Sequence, residues 1–310
     1  MQRWRGTQAA PGGWGRAVVT IGVFDGVHKG HQQIIGHTVK RAHELGMQSV
    51  VVTFDPHPSE VVRPGTHPAI LTDQTRKADL IESLGVDVLC VIPFTHTFSR
   101  LPAEAFVHDV LVENLHAALV VEGENFRFGY KQAGDVEMLR RLGRTFGFSV
   151  ESAPLVSDDG MIFSSTYIRS CVAAGDVAAA ARALGRPHRV DGAVIRGDRR
   201  GRELGFPTAN LLTPMYAAIP AEGVYAAWAS WPGEGPRMAA ASIGTNPTFS
   251  GTGVRVEAYI LDFDGDLYGE RVALDFVARL REQRTYAGIE PLVTQITEDV
   301  QQTRALLTAD

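Results

Sequence analysis

Two histidines stand three residues apart at the end of a glycine-rich segment, Gly22 to His31. The imidazoles of His28 and His31 could donate hydrogen bonds to a phosphate that gains charge in a transition state. Gly26 and Gly30 would let the backbone approach that phosphate closely. A strand pattern precedes the segment and a helix pattern follows it, so the helix N-terminus adds a preference for anions. Metal ligation and helix capping by either histidine are the alternatives, although no third soft ligand lies near in sequence.

A second glycine-rich segment contains Gly197, Gly201 and Gly205 and is followed by Thr208 and Asn210. It is not a P-loop, because the Gly-Lys-Ser/Thr ending is missing and no helix pattern follows. Its glycines still allow backbone amides to cradle a phosphate. Thr208 and Asn210 alternate along an extended stretch, so their side chains share one face, and their oxygens suit Mg²⁺ bridged to nucleotide phosphates. The alternative is a turn followed by an ordinary edge strand.

A single glutamate, Glu257, lies in a strand-like run in which Val256 and Ala258 would face the opposite side. A carboxylate on a strand beside a magnesium–nucleotide loop can take the proton from an attacking hydroxyl group. From spacing alone, an exposed strand glutamate is the favoured interpretation.

Strand and helix patterns alternate through the first half of the chain, which predicts a parallel sheet covered by helices on both faces. This Rossmann-like α/β arrangement would put ligands at the carboxyl ends of its strands. The predicted elements are Ala17–Val23, His31–Leu45, Ser49–Phe54, Gln74–Leu84, Val86–Ile92, Ala103–Asn114 and Ala117–Val121.

The second half carries short strand patterns punctuated by Gly and Pro, which predict a small antiparallel β-barrel, and the last helix pattern covers Ile289–Leu307. The change falls at Gly185-Arg186-Pro187, so we expect two domains, residues 1–186 and 187–310. The predicted barrel strands are Val190–Ile195, Gly223–Ala229, Met238–Ile243, Val254–Leu261 and Val272–Leu280.

Composition narrows the class of protein. A hydrophobic fraction of 45% and a charged fraction of 21% indicate a soluble globular chain. A net charge of −5 offers no basic excess for nucleic acid. No apolar run is long enough to span a membrane and no signal core opens the chain, so a cytoplasmic enzyme is expected. Cys90 and Cys171 cannot form a disulfide framework or a cysteine zinc site, and we expect neutral thiols.

The His-x-Gly-His segment resembles the nucleotidylyltransferase superfamily, and Ser164-Ser165-Thr166-Tyr167-Ile168-Arg169 resembles an element of the prokaryotic FMN adenylyltransferases. The resemblance implies that His28 and His31 stabilise the α-phosphate of ATP and the leaving group. Where many members of that family carry arginine, this chain has Ile162; Lys29 or Arg127 could replace that contact. The ATP-binding residues implied are Gly22, Phe24, Asp25, Gly26, Gly30, Ser164, Ser165, Thr166 and Arg169.

Two further segments match the flavin side of that family, Thr53 to Pro58 and Gly123 to Gly129. The resemblance implies that Phe54, Asn125, Phe126 and Phe128 contact the flavin. Aromatic rings can stack against an isoalloxazine, although core packing explains each phenylalanine about as well.

The string Gly-Phe-Pro-Thr-Ala-Asn, residues 205–210, resembles the riboflavin kinases, whose fold is a six-stranded barrel with a C-terminal helix. The resemblance implies that Gly197, Gly201 and Gly205 contact ATP, that Thr208 and Asn210 hold Mg²⁺, and that Glu257 is the catalytic base. Residues 242–248 match the loop before the catalytic strand. Leu280 to Tyr286 resembles a flavin-binding segment, which implies flavin contacts from Arg281 and Tyr286, although Gln283 replaces a glutamate there.

Both sets of motifs occur in the order typical of the prokaryotic bifunctional riboflavin kinase/FMN adenylyltransferase family, from about Val18 to Ala309. The resemblance implies two ATP-dependent steps, riboflavin to FMN and FMN to FAD, with riboflavin, FMN, FAD and ATP as small-molecule partners and Mg²⁺ as cofactor. Neither nucleic acid nor a membrane is expected as a partner. The alternatives are a riboflavin kinase with a weak or inactive sheet domain, a non-enzymatic flavin-binding protein, and an adenylyltransferase for another mononucleotide or for pantetheine phosphate.

Overall fold

A computed structural model describes residues 1–154, 156–158, 160–197, 201, 204–245 and 254–308. Parts of both kinase loops, 198–200, 202–203 and 246–248, therefore lie outside the described residues. Contacts divide the chain into two compact units. The first comprises Met1–Pro68 and Thr72–Ser164, and the second comprises Ala69–Leu71 and Ser165–Asp310. The domain boundary at 186/187 stays a prediction about independent folding.

The first unit contains ten strands and six α-helices among its described residues. Its strands are β1 (Gln2–Arg5), β2 (Ala17–Ile21), β3 (Gln48–Asp55), β4 (Val88–Pro93), β5 (Ala117–Gly123), β6 (Arg127–Phe128), β7 (Gly134–Asp135), β8 (Ser149–Ala153), β9 (Ser157–Asp158) and β10 (Met161–Ile162). Its helices are α1 (Lys29–Leu45), α2 (Pro58–Val62), α3 (Gln74–Glu82), α4 (His96–Ser99), α5 (Ala103–Phe106), which continues as a π-helix over Val107–Asn114, and α6 (Val136–Phe146). Two 3₁₀ turns lie at Thr7–Ala9 and Tyr130–Gln132.

Six of these strands form one sheet in the order β1-β4-β3-β2-β5-β8, and every neighbouring pair is parallel. The predicted parallel sheet is confirmed, and its strand order reverses between β2 and β5. Strands β1 and β8 were not predicted. β1 has only four residues, too few to show a period, and β8 carries polar residues at most positions.

Helices cover both faces of this sheet, as predicted. On one face Val50 and Val52 of β3 pack in a cluster with the α5 segment and α6. On the other face Val51 packs with α1 and α3 through Ile35 and Ile81. The alternation of β3 residues between two apolar layers explains why the strand reads as a continuous apolar run. Cys90 is free and buried, and burial raises the pKa of its thiol to about 12, which confirms a neutral thiol.

Among its described residues, the second unit contains two helices, a barrel and a final helix. Its elements are α7 (Ser165–Ala174), α8 (Val177–Leu184), β11 (His188–Ile195), β12 (Thr208–Leu212), β13 (Gly223–Trp231), β14 (Glu234–Thr245), β15 (Val254–Ile260), β16 (Arg271–Arg281) and α9 (Ile289–Thr308). The six strands close in the order β11-β12-β15-β14-β13-β16, with antiparallel neighbours. The predicted antiparallel barrel with a C-terminal helix is confirmed.

Small side chains fill much of the barrel interior, and Tyr225 and Phe276 meet edge to face within it, with ring centroids 5.4 Å apart. Val177 of α8 belongs to the same buried cluster, so α8 packs as part of this unit. Alternation along each strand leaves the opposite side chains on the outside of the barrel, where polar groups can gather. Within the described part of the chain, no helix has the length and apolar character to cross a membrane.

Candidate active sites

The loop from Gly22 to Gly30 begins at the carboxyl end of β2, beside the point where the strand order reverses. In open parallel sheets this crevice is where ligands bind. Glu122 at the end of β5 is 2% exposed, and its Oε1 accepts a hydrogen bond of 2.7 Å from the Ile21 amide. Burial raises the pKa of Glu122 well above its usual range. Sequence reasoning missed this residue; its signal was one acidic residue inside an apolar run.

The two histidines of this loop stack on each other. Their ring centroids are 3.6 Å apart with planes 25° from parallel, and Phe24 meets the His31 ring edge to face at 5.1 Å. His28 Nδ1 also accepts a hydrogen bond from the His31 amide at 3.4 Å, which makes His28 the N-cap of α1. A cap through Nδ1 and a phosphate contact through Nε2 are compatible, so the structure adds the capping role without replacing the predicted one.

Glycines let this loop fold tightly around the histidines. A Cβ atom on Gly30 would lie 3.1 Å from the His28 ring, and one on Gly22 would lie 2.9 Å from the Phe24 ring. Gly26 has φ of 84°, a left-handed conformation that favours glycine. Asp25, predicted to contact ATP, is 3% exposed and accepts a hydrogen bond of 3.1 Å from the Thr72 amide through Oδ1. Its carboxylate thus holds the loop to another segment of the same unit.

The Ser-Ser-Thr-x-x-Arg element straddles the division between the two units. Ser164 ends the first unit, while Ser165 and Thr166 open α7 in the second. Arg169 lies on α7, and its Nε donates to the Ala69 carbonyl oxygen at 2.6 Å. The structure therefore assigns the arginine of this element to the second unit, next to residues of the barrel.

Ile162, which stands where many members of the family carry arginine, is 47% exposed. Of the two suggested substitutes, Arg127 is paired with Asp135 at 3.2 Å. The Lys29 ammonium lies 5.8 Å from the centre of the Phe163 ring, close to the start of α1. Lys29 is thus the better placed cation in the first unit.

The predicted flavin-contacting phenylalanines belong to one aromatic cluster in the first unit. Phe126 stacks on Phe128 with centroids 5.4 Å apart, and Phe54 meets Phe98 at 6.1 Å. Phe94, Phe98 and Phe106 complete the cluster and were missed by sequence reasoning. Phe128 is buried in the core, whereas Phe54 and Phe126 are half-buried, and Asn125 is exposed beside them in the chain. The half-buried pair is therefore better placed for a ligand than Phe128.

Three predicted kinase residues meet on neighbouring barrel strands. Asn210 of β12 is the direct cross-strand partner of Glu257 on β15, and Thr208 Oγ1 donates to Glu257 Oε2 at 3.3 Å. Val256 and Ala258 are 1% and 0% exposed inside the barrel, which confirms that Glu257 points to the other side. A hydroxyl, an amide and a carboxylate thus share a patch of the outer barrel surface.

The glycines of the second loop allow it to pack closely against β12. A Cβ atom on Gly197 would lie 2.5 Å from Asn210 Nδ2, and one on Gly201 would lie 2.4 Å from the Phe206 carbonyl oxygen. Gly205 has φ of 85°. A side chain at position 197 would therefore displace the Asn210 amide, and one at position 201 would collide with the backbone at Phe206.

The donor chemistry of this patch suits Mg²⁺, which prefers hard oxygen ligands and is completed by water and substrate phosphates. Thr208 and Asn210 supply one hydroxyl and one amide oxygen. Among the described residues, no three His, Cys, Asp or Glu side chains come together as a metal site.

A cavity of about 850 Å³ opens beside this patch in the second unit, and it is lined by Gly197, Asn210 and Arg169. Its size is within the range typical of small-molecule sites. Two further arginines on its wall, Arg196 and Arg255, were not predicted. Arg255 Nη1 lies 4.0 Å from Glu257 Oε1, so positive charge stands close to the proposed base.

Arg281 and Tyr286, predicted to bind flavin, lie at and after the end of β16. Arg281 makes a two-pronged ion pair with Asp299 of α9, with Nε–Oδ1 and Nη2–Oδ2 distances of 2.8 and 2.7 Å. Its guanidinium also lies 6.0 Å from the centre of the Tyr286 ring. Gln283 Nε2 donates to Ser242 Oγ at 2.8 Å. Sequence reasoning missed Asp299. The available signal was its spacing, because Asp299 lies on the same face of α9 as the buried Thr303 and Leu307.

Comparison with protein families finds a match in both halves of the chain. The FAD synthetase family model matches residues 12–167, and the riboflavin kinase family model matches residues 184–307. The chain is therefore a transferase that joins a nucleotidyltransferase domain to a kinase domain.

Relatives match along nearly the full length. A bifunctional riboflavin kinase/FMN adenylyltransferase from Pseudomonas fluorescens is 41% identical over 93% of this chain and 92% of its own length. The protein of the same name from Escherichia coli strain K12 is 34% identical over 91% of this chain and 90% of its own. A crystal structure titled a macrolide-efflux protein from Streptococcus pneumoniae matches with a TM-score of 0.89 and 31% identity, covering 98% of this chain and 99% of that one. The chain belongs to the bifunctional riboflavin kinase/FMN adenylyltransferase family.

Proposed function

We propose that this chain phosphorylates riboflavin to FMN with ATP and then adenylylates FMN to FAD with a second ATP, releasing pyrophosphate. The observation that carries the proposal is that each family match comes with its own set of reactive groups. The sheet unit presents the stacked His28 and His31, and the barrel presents Glu257 beside Thr208 and Asn210. A kinase-only chain is not favoured, because the FAD synthetase match spans residues 12–167.

In the kinase step, Glu257 is the proposed general base. The 5′-hydroxyl oxygen of riboflavin bonds to the γ-phosphorus of ATP as the bond to the β,γ-bridging oxygen breaks, and the hydroxyl proton passes to the Glu257 carboxylate. Its half-buried position beside the Thr208 hydroxyl supports this role, since a base must lie within hydrogen-bonding reach of its proton.

Thr208 and Asn210 are the proposed Mg²⁺-holding residues. A bound Mg²⁺ ion would neutralise charge on the nucleotide phosphates. The cavity beside Asn210, with Arg196 and Arg255 on its wall, is the proposed space for the nucleotide of this step. Cationic walls suit a polyphosphate.

In the adenylyltransfer step, an FMN phosphate oxygen bonds to the α-phosphorus of ATP and pyrophosphate leaves. The nucleophile is already anionic at neutral pH, so no base is needed. His28 and His31 would donate to the phosphate oxygens that gain charge, and the N-terminus of α1 would favour the same charge. Phe54 and Phe126 are the proposed borders for the isoalloxazine ring, because both are half-buried.

The direct test supplies riboflavin, ATP and Mg²⁺ and separates the products by chromatography. FMN should appear first and FAD afterwards, and FMN with ATP should yield FAD and pyrophosphate. If riboflavin yields FMN but no FAD, and supplied FMN also yields no FAD, the adenylyltransferase half is contradicted. If, in addition, riboflavin yields no FMN, both halves are contradicted.

A further inference from the structure

One lysine of the first unit is buried under the adenylyltransferase loop and has no role in the scheme above. Lys77 of α3 is 4% exposed, and its Nζ donates to the Val23 carbonyl oxygen at 3.1 Å. Burial lowers the pKa of Lys77, and the carboxylates of Asp25, Asp55 and Asp73 oppose that shift. Lysine is seldom buried unless it is paired, so this position indicates a specific task.

The first turn of α3, together with Thr72 just before it, contacts the loop after β2 and the end of β3. The Thr72 amide donates to Asp25, as described above, and Gln74 Nε2 donates to the Phe54 carbonyl oxygen at 3.1 Å. The Val23 carbonyl that receives Lys77 also accepts from Thr53 Oγ1 at 3.1 Å. The start of α3 therefore holds both the loop carrying the histidines and the end of β3, which carries the proposed flavin contact Phe54.

The loop held by Lys77 needs such support, because two of its non-glycine residues have left-handed backbone angles. Phe24 has φ of 50° and Val27 has φ of 40°. A β-branched residue such as valine rarely adopts this region, and such conformations persist where surrounding contacts fix them. His28 follows Val27 directly, so any relaxation there would move the cap of α1 and the stacked imidazoles.

The positive charge of Lys77 is a second feature that suits this position. Asp25 places a buried carboxylate in the loop that would receive the phosphates of ATP, and a negative charge there would repel them. Lys77 supplies a positive charge inside the same unit.

We propose that Lys77 is a positioning residue of the adenylyltransferase site: its ammonium group fixes the Val23 carbonyl and offsets the Asp25 carboxylate, so that the loop presents His28 and His31 in one geometry. The inference rests on the proposed adenylyltransferase function.

The test replaces Lys77 with methionine, which keeps most of the length and the apolar stem but removes the charge and the donor. Misplacing reacting groups by about 1 Å can cost about 10²-fold in rate, so the kcat of FAD formation from FMN should fall about 10²-fold. The KM for FMN should stay within about threefold, and FMN formation on the same preparation should stay within about twofold. Lys40→Met is the matched control, since Lys40 is an exposed lysine on α1 that should leave both rates unchanged.

The double variant Lys77→Met/Asp25→Asn separates charge from packing. Asparagine keeps the acceptor for the Thr72 amide but removes the negative charge, so this variant should recover about tenfold of the lost kcat. It also decides the matter if Lys77→Met alone does not fold: a folded double variant about tenfold below wild type supports the proposal.

The proposal is overturned if Lys77→Met forms FAD with a kcat within about threefold of wild type. It is also overturned if a folded Lys77→Met variant loses both activities equally. A double variant whose kcat is no higher than that of the folded single variant would overturn it as well. Absence of FAD formation by the wild-type chain would instead reject the adenylyltransferase function itself.

Discussion

His28 combines two roles that substitution can separate. As N-cap of α1 it accepts the His31 amide through Nδ1 at 3.4 Å, and as a proposed phosphate donor it needs the imidazole ring. Asparagine ranks among the best N-caps and keeps an acceptor at this position, whereas alanine keeps neither function. His28→Asn and His28→Ala should therefore differ in stability but agree in activity.

The magnitudes follow from the geometry. An N-cap contributes typically about 0.5–2 kcal/mol, and a 3.4 Å hydrogen bond is longer than usual, so the lower half of that range applies. For a unit of this size, about 1 kcal/mol corresponds to a shift of roughly 2–4 °C in melting temperature. The loss of one preorganised donor costs about 10²–10³-fold in rate, or about 2.7–4 kcal/mol of transition-state stabilisation. The catalytic effect should thus clearly exceed the structural one.

The assay is steady-state FAD formation from FMN and ATP, with FMN formation from riboflavin on the same preparation as the control for enzyme amount and a thermal melt as the control for folding. Both variants should lose adenylyltransfer by about 10²–10³-fold, and only His28→Ala should also lose the stability of the cap. A His28→Asn variant within about threefold of wild type would refute the phosphate role and leave capping as the task of this histidine.

Three other outcomes are expected. Glu257→Gln should lower riboflavin phosphorylation by about 10²–10⁴-fold while FMN adenylylation persists, and unchanged phosphorylation would send the search for the base elsewhere. Residues 187–310 expressed alone should make FMN and no FAD; a folded but inactive barrel would contradict the predicted boundary. The raised pKa of Glu122 means that the folded state holds its proton more tightly than the unfolded state, so wild-type stability falls as pH rises above the ordinary carboxyl value. Glu122→Gln, which can still accept from the Ile21 amide, should remove that decline in thermal melts from acidic to neutral pH, and an unchanged decline would show that another group causes it.

Spacing and period within single segments were enough to predict most of the architecture. The strand predicted over Ser49–Phe54 is found as Gln48–Asp55, and the last helix, predicted over Ile289–Leu307, runs from Ile289 to Thr308. The same local information placed Thr208 and Asn210 on one face of their strand, and Glu257 on the face of its own strand opposite Val256. These features depend on neighbouring residues, so the sequence of each segment determines them.

Contacts between distant residues were decided by tertiary structure alone. β1 is a strand because it pairs with β4, more than eighty residues away, and nothing in its four residues requires that. The roles of three charged residues depend on partners from other segments, against which folding buries them: Lys77, Glu122 and Asp299. From its residue type alone a charged side chain is expected to be exposed to solvent, and whether it is buried depends on which elements pack over it. For that reason candidate reactive groups could be proposed from the sequence, whereas the groups that contact them from other segments could not.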